Sequence, residues 1–199
     1  MRTVVFLLLI ITSPASFASM LVLGDSLSAG YGIEQDRGWV NLMRERLKNS
    51  GYTLEVVNAS VSGETTSGGL SRLPGLLETH QPSLVLIELG ANDGLRGTPL
   101  EIVRANLQQL VELSQSAGAK VLMIGNRLPP NYGPQYTQAF FGLFEEVAQQ
   151  KQTALVPFLL DGVASDWDLM QDDGYHPRAE AQPKILDTVW SNLEPLLAP

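Results

Sequence analysis

Apolar residues follow two rhythms along this chain. Short runs rich in Val, Ile and Leu occur at 20–23, 54–57, 84–89, 120–124 and 154–156, each bounded by Gly, Asn or Pro. Runs this short and continuous predict strands buried on both faces, as a covered parallel sheet requires. Between them the spacing turns helical, over 40–48, 70–79, 100–117, 135–150 and 178–197. Leu42, Met43 and Leu47 share one face of the first, and Gly51 suits its C-terminal cap. Ile102, Leu107, Leu110 and Leu113 keep near-helical spacing in the third, and Pro99 fits its first turn. Five such alternations predict an α/β fold: a three-layer, doubly wound, flavodoxin-like arrangement around a five-stranded parallel sheet. In such sheets, sites form at the carboxyl ends of the strands.

The first eighteen residues follow another pattern. Arg2 precedes an unbroken apolar run over 4–11, and Ser16-Phe17-Ala18 presents small residues to a signal peptidase. The run is too short to span a bilayer, which takes about 20 residues. The expectation is a signal peptide over 1–18, one domain over 19–199, and a periplasmic or secreted protein. Neither an internal repeat nor a linker divides the 199 residues. The chain has no cysteine, which excludes disulfides, a thiol nucleophile and a lipid anchor on Cys. A net charge of −8 without a basic cluster argues against nucleic acid and against docking on anionic membranes.

Candidate chemistry lies just after the strands. Gly24-Asp25-Ser26-Leu27-Ser28 follows the first run, where a sharp turn can expose the Ser26 hydroxyl. A turn or capping serine reads the same residues equally simply. Ser28 stands where the nucleophile elbow of α/β-hydrolases has its second Gly, so that motif is absent. There are two histidines. His80 precedes Pro82 at a helix end, a place where histidine complements the helix dipole. His176 lies in Asp173-Gly174-Tyr175-His176-Pro177, where Asp173 can reach its ring and orient it. An N-capping aspartate beside an incidental surface histidine is the alternative. Gly63 and Asn92 follow the second and third runs and can donate hydrogen bonds to a developing oxyanion, although Gly and Asn are common in any βα turn. The ordered recurrence of these segments at successive strand ends is what favours catalysis.

These four segments resemble the four blocks of the SGNH hydrolases, also called GDSL esterases, from residue 21 to about residue 178. The stretches 89–97, 127–133 and 170–177 look like those of the periplasmic thioesterase I/protease I/lysophospholipase group within that family. The resemblance implies that Ser26 is the nucleophile, His176 the general base and Asp173 its partner. It also implies an oxyanion hole formed by the Ser26 and Gly63 N–H groups and the Asn92 amide. The loops 94–98 and 128–132 would flank an acyl chain through Gly94, Leu95, Pro129 and Tyr132. The implied activity is hydrolysis of esters and thioesters of lipid-like acyl groups, with arylesterase, lysophospholipase and acyl-CoA thioesterase forms. No cofactor, metal, nucleic acid or stable membrane anchor is expected, and the chain is expected to be a monomer. Asp161, Asp166, Asp168, Asp172 and Asp173 match no EF-hand spacing and read as a solvated loop. Trp39, Tyr132, Tyr136, Phe140, Phe141 and Trp167 are expected mostly in the core, with some lining an acyl groove. Competing readings are an SGNH esterase for sugar-linked acetyl groups, which would need a smaller and more polar pocket, and a non-catalytic flavodoxin-like binding protein.

Overall fold

A computed structural model describes residues 19–197; the expected leader over 1–18 lies outside them. Five strands, β1 (Ser19–Gly24), β2 (Glu55–Asn58), β3 (Leu84–Glu88), β4 (Lys120–Ile124) and β5 (Ala154–Val156), form one parallel sheet. Their order is β2-β1-β3-β4-β5. This is the flavodoxin-like order, in which the chain leaves β1 in opposite directions and opens a crevice between the carboxyl ends of β1 and β3. The expected doubly wound fold is therefore present.

Alternation along the buried strands divides the core between two faces. Met20, Val22, Leu84, Leu86, Leu122 and Ile124 pack against α2 (Trp39–Asn49) and α7 (Gln182–Leu197) through Trp39, Met43, Leu47, Ile185 and Val189. Leu21, Leu23, Val85, Ile87, Val121 and Met123 face α3 (Thr66–His80), α5 (Leu100–Ser116) and α6 (Pro134–Lys151). There they meet Leu73, Leu107, Leu110, Phe140, Phe144 and Val147. Burial on both sides explains why the strands read as continuous apolar runs.

Two helix starts differ from expectation. Helix α3 begins at Thr66, four residues early, because Thr65 accepts the Gly68 N–H at 3.2 Å. Gly69 also suits close packing, since a Cβ there would lie 2.4 Å from Leu89. Helix α7 begins late, at Gln182, after a 3-10 turn over Ala179–Ala181. The buried Gln182 accepts the backbone N–H of Trp39 at 3.0 Å, joining α7 to the first turn of α2. Two short helices, α1 (Ser26–Ala29) and α4 (Ala91–Leu95), stand where loops were expected. Of the aromatics, Trp39 and Phe140 are core, whereas Trp167 is 74% exposed; it sits in a 3-10 turn and lies against Gly174. No helix among the described residues is long and apolar enough to cross a membrane.

Candidate active site

Ser26 is the first residue of α1, directly beyond β1. Its N–H is one of the helix-start donors without an intrahelical acceptor. Asp25 caps the helix by accepting the Leu27 N–H at 3.0 Å. Glycine is required before it: a Cβ on Gly24 would lie 2.7 Å from Ser28 Cβ and 2.9 Å from Glu88 Oε2. Overlap that close to buried side chains costs about 1–3 kcal/mol.

His176 arrives from the loop before α7. The loop closes on itself through a bridge between Met170 and Pro177. The Gln171 N–H donates to the His176 carbonyl at 2.7 Å, and the Gly174 N–H to the Gln171 carbonyl at 2.9 Å. The Gln171 side-chain amide also donates to the Tyr31 carbonyl at 2.8 Å, holding the loop against the segment after α1. His176 Nε2 lies 2.9 Å from Ser26 Oγ, and Nδ1 lies 2.6 Å from Asp173 Oδ2. Asp173 Oδ1 accepts the backbone N–H groups of Tyr175 and His176 at 2.9 and 3.0 Å. Burial pushes the Asp173 carboxyl up, but these bonds outweigh it and hold the group below its usual value. The neighbouring Asp172 turns outward to Arg178, 2.8 Å away. The half-exposed ring of Tyr31 lies against the imidazole, with centroids 4.5 Å apart.

Asn92 occupies the first turn of α4, and its amide donates to Asp25 Oδ2 at 3.1 Å. Helix α4 is anchored by Asp93, which accepts both the N–H and the hydroxyl of Thr66 at 2.8 Å. Gly63 has φ +80°, a conformation that favours glycine, and its carbonyl accepts from Arg96 at 3.1 Å. Thus Ser26 and Asn92 follow the two strands that border the crevice, and His176 and Asp173 join them from a distant loop.

The four residues expected to flank an acyl chain are not placed alike. Tyr132 donates to the Leu95 carbonyl at 3.0 Å, and Tyr136 to that of Gly94 at 3.2 Å, so the two loops are linked. Gly94 is buried; a Cβ there would lie 2.7 Å from Leu128 and Phe140. Its glycine serves packing, and mobility in that loop would have to come from the exposed Gly97. An open groove of about 620 Å³ runs along Leu100, Tyr132, Gly133, Tyr136 and Ala139. Pro129 and Leu95 are half-buried beside it in sequence but do not line it. His80 ends α3, and its carbonyl accepts from Ser19, the first residue of β1, at 2.9 Å. It therefore lies at the opposite end of β1 from Ser26. Among the described residues no grouping of three His, Cys, Asp or Glu could hold a metal.

Sequence reasoning missed three buried polar residues. Asp25, Glu88 and Asn126 are at most 2% exposed. Glu88 receives the Ser28 hydroxyl and the Asn126 amide, each at 2.8 Å, and the Asp25 N–H at 3.3 Å. Burial, then the charge of Asp25, push the Glu88 carboxyl well above its usual range. Burial likewise raises Asp25, to about 6, against the lowering effects of the Leu27 N–H, Glu88, His176 and Asn92. A lone acid inside an apolar strand was the available signal, since a carboxyl is rarely buried without a partner.

A hydroxyl, an imidazole and a carboxylate in hydrogen-bonded sequence at the switch point of a doubly wound sheet define a serine hydrolase. The chain belongs to the GDSL-like Lipase/Acylhydrolase family, whose model matches residues 22–182. It is 50% identical to Esterase TesA of Pseudomonas aeruginosa over 190 residues, covering 96% of this chain and 94% of that protein. It is 41% identical to thioesterase 1/protease 1/lysophospholipase L1 of Escherichia coli (strain K12) over 192 residues, covering 96% and 91%. Among solved structures, psychrotrophic esterase EstA from Pseudoalteromonas sp., inhibited by monoethylphosphonate, superposes with a TM-score of 0.86 at 42% identity. That match covers 90% of this chain and 98% of the other. The chain is an esterase of this family.

Proposed function

We propose that the protein is an exported esterase that cleaves carboxylic esters and thioesters of lipid-like acyl groups through an acyl-enzyme on Ser26. In this reading His176 Nε2 takes the Ser26 proton as Oγ attacks the carbonyl carbon. The Ser26 and Gly63 N–H groups and the Asn92 amide hold the oxyanion that develops. The imidazolium then protonates the departing alcohol or thiol, and water, activated by the same nitrogen, hydrolyses the acyl-enzyme. Asp173, held below the usual carboxylate range, stays ionised and stabilises the imidazolium. The observation that carries the reading is the unbroken contact from Ser26 Oγ through His176 to Asp173. The names of the two curated relatives, an esterase and a thioesterase/lysophospholipase, supply the substrate classes. The proposal needs no cofactor or metal and treats the chain as a monomer.

The groove beside Tyr132 and Leu100 is the proposed acyl site, and each methylene buried there contributes up to about 0.8 kcal/mol. Across nitrophenyl esters below their micelle thresholds, kcat/KM is expected to rise with acyl length until the groove is filled. Acyl-CoA and lysophospholipid are expected to be hydrolysed by the same protein. A steep preference for acetate over every longer acyl group would instead identify a sugar-acetyl esterase.

Export is tested separately. Expressed with residues 1–18 in a Gram-negative host, the protein is expected in the periplasm with Ser19 at its N-terminus, by mass spectrometry. Periplasmic protein that retains Met1 would refute the leader.

A further inference from the structure

Two carboxyl groups lie beneath Ser26 that acyl transfer itself does not use. Asp25 precedes Ser26, and Glu88 ends β3 opposite Gly24 in the sheet register. Both are almost fully buried, and Glu88 Oε2 accepts the Asp25 backbone N–H at 3.3 Å, so the two carboxyl groups are close neighbours in the interior and the charge of Asp25 acts on Glu88. Two ionised carboxylates in such contact repel strongly, so a buried pair keeps one proton. Their surroundings decide which member holds it. The oxygens of Asp25 receive the Leu27 N–H and the Asn92 amide. The backbone N–H can only donate. Glu88 receives the Ser28 hydroxyl, which can rotate and accept instead, so a proton on Glu88 need not forfeit that bond. The remaining neighbours are, on Glu88, the Asn126 amide and the Asp25 N–H, the latter at a long 3.3 Å, and, facing Asp25, His176, whose imidazolium favours an ionised Asp25.

The consequence falls on Asn92. A side-chain amide can present either its nitrogen or its oxygen to a neighbour. An ionised Asp25 accepts only a donor, so it selects the orientation with Nδ2 toward itself, 3.1 Å away. The second hydrogen of that nitrogen is then free for the oxyanion. A flipped amide would instead turn a carbonyl oxygen toward developing negative charge.

We propose that Asp25 and Glu88 form a one-proton carboxyl pair, in which neutral Glu88 keeps Asp25 ionised and Asp25 fixes the Asn92 amide with its nitrogen on the oxyanion site. Both are positioning residues. The inference rests on the proposed role of Asn92 in the oxyanion hole.

The test is a double-mutant cycle with a spectroscopic arm. Asp25→Asn keeps the volume but can no longer accept from both donors; kcat is expected to fall by roughly 10–10²-fold with KM little changed. In an Asn92→Ala background the same substitution is expected to cost less than about threefold, because its target is gone. Glu88→Ala should lower kcat about tenfold, and Glu88→Gln should restore most of that loss, since an amide is a neutral donor of the same shape. Infrared difference spectra at neutral pH should show a protonated carboxylic acid that Glu88→Gln removes. Both groups are raised above their unfolded values, so their burial favours the folded state most at acid pH. That contribution is lost as pH rises through about 6 and beyond, and Glu88→Gln should lose less of it. An equal cost of Asp25→Asn with and without Asn92, no rescue by Gln, or no protonated acid band would each overturn the pair. If Asn92→Ala alone leaves kcat intact, the oxyanion assignment fails, while the infrared and pH–stability results still decide where the proton is.

Discussion

Ser26→Ala and His176→Ala are each expected to lower kcat by roughly 10⁴–10⁶-fold, and the double variant by little more. The reason is that the two atoms act as one device. Without Nε2, Ser26 Oγ has nothing within 2.9 Å to take its proton; without Oγ, the imidazole has no acyl carrier to serve. Residual rate would come from binding and from the oxyanion donors. His80→Ala is the control and should leave kcat nearly intact. Its backbone is bonded to the first residue of β1, and Ser26 lies two residues past the last, so the strand puts roughly 15–20 Å between them. Rates on a short nitrophenyl ester, with folding checked by circular dichroism, decide the matter. Equal damage from His80→Ala would remove His176 as the base. Active-site labelling with a fluorophosphonate should follow the same order, with Ser26→Ala unlabelled.

Asn92→Ala is expected to lower kcat by roughly 10²–10³-fold, about 2.7–4 kcal/mol, with KM nearly unchanged. The split follows from charge. A ground-state carbonyl gains little from one more amide donor, whereas the tetrahedral oxyanion, which carries a full charge, gains a great deal. Folding is not expected to suffer much, because α4 is held chiefly by Asp93 on Thr66 and by the packing of Gly94 under Leu128 and Phe140. Steady-state kinetics separate the two quantities. A rise in KM at constant kcat would make Asn92 a substrate-positioning group.

Much of the architecture was legible because burial leaves a simple imprint. The strands over Lys120–Ile124 and Ala154–Val156 coincide with their apolar runs, and the other three differ by a residue at their ends. Strand ends fray in pattern as they do in hydrogen bonding. The short helices α1 and α4 were not legible. Four or five residues are too few to show helical periodicity, and Gly-Asp-Ser and Gly-Ala-Asn look like turns. Yet these two helix starts aim the Ser26 N–H and the Asn92 side chain. Gly94 was expected to flank an acyl chain; packed under Leu128 and Phe140 it is a buried spacer. Trp167, grouped with aromatics expected mostly in the core with some lining a groove, is instead exposed.

The sequence alone determined the alternation of layers, the parallel sheet and the chemical types available at the strand ends. Those follow from local hydrophobic period and from which side chains can donate, accept or attack. The tertiary structure alone decided which of those groups meet. Residues 26 and 176 are 150 positions apart, and only closure of the loop between Met170 and Pro177 against Tyr31 brings the imidazole to the hydroxyl. Likewise only the β1–β3 register sets Glu88 beside Asp25. A carboxyl's charge depends on the dielectric and the partners around it, and those exist only once the chain has folded.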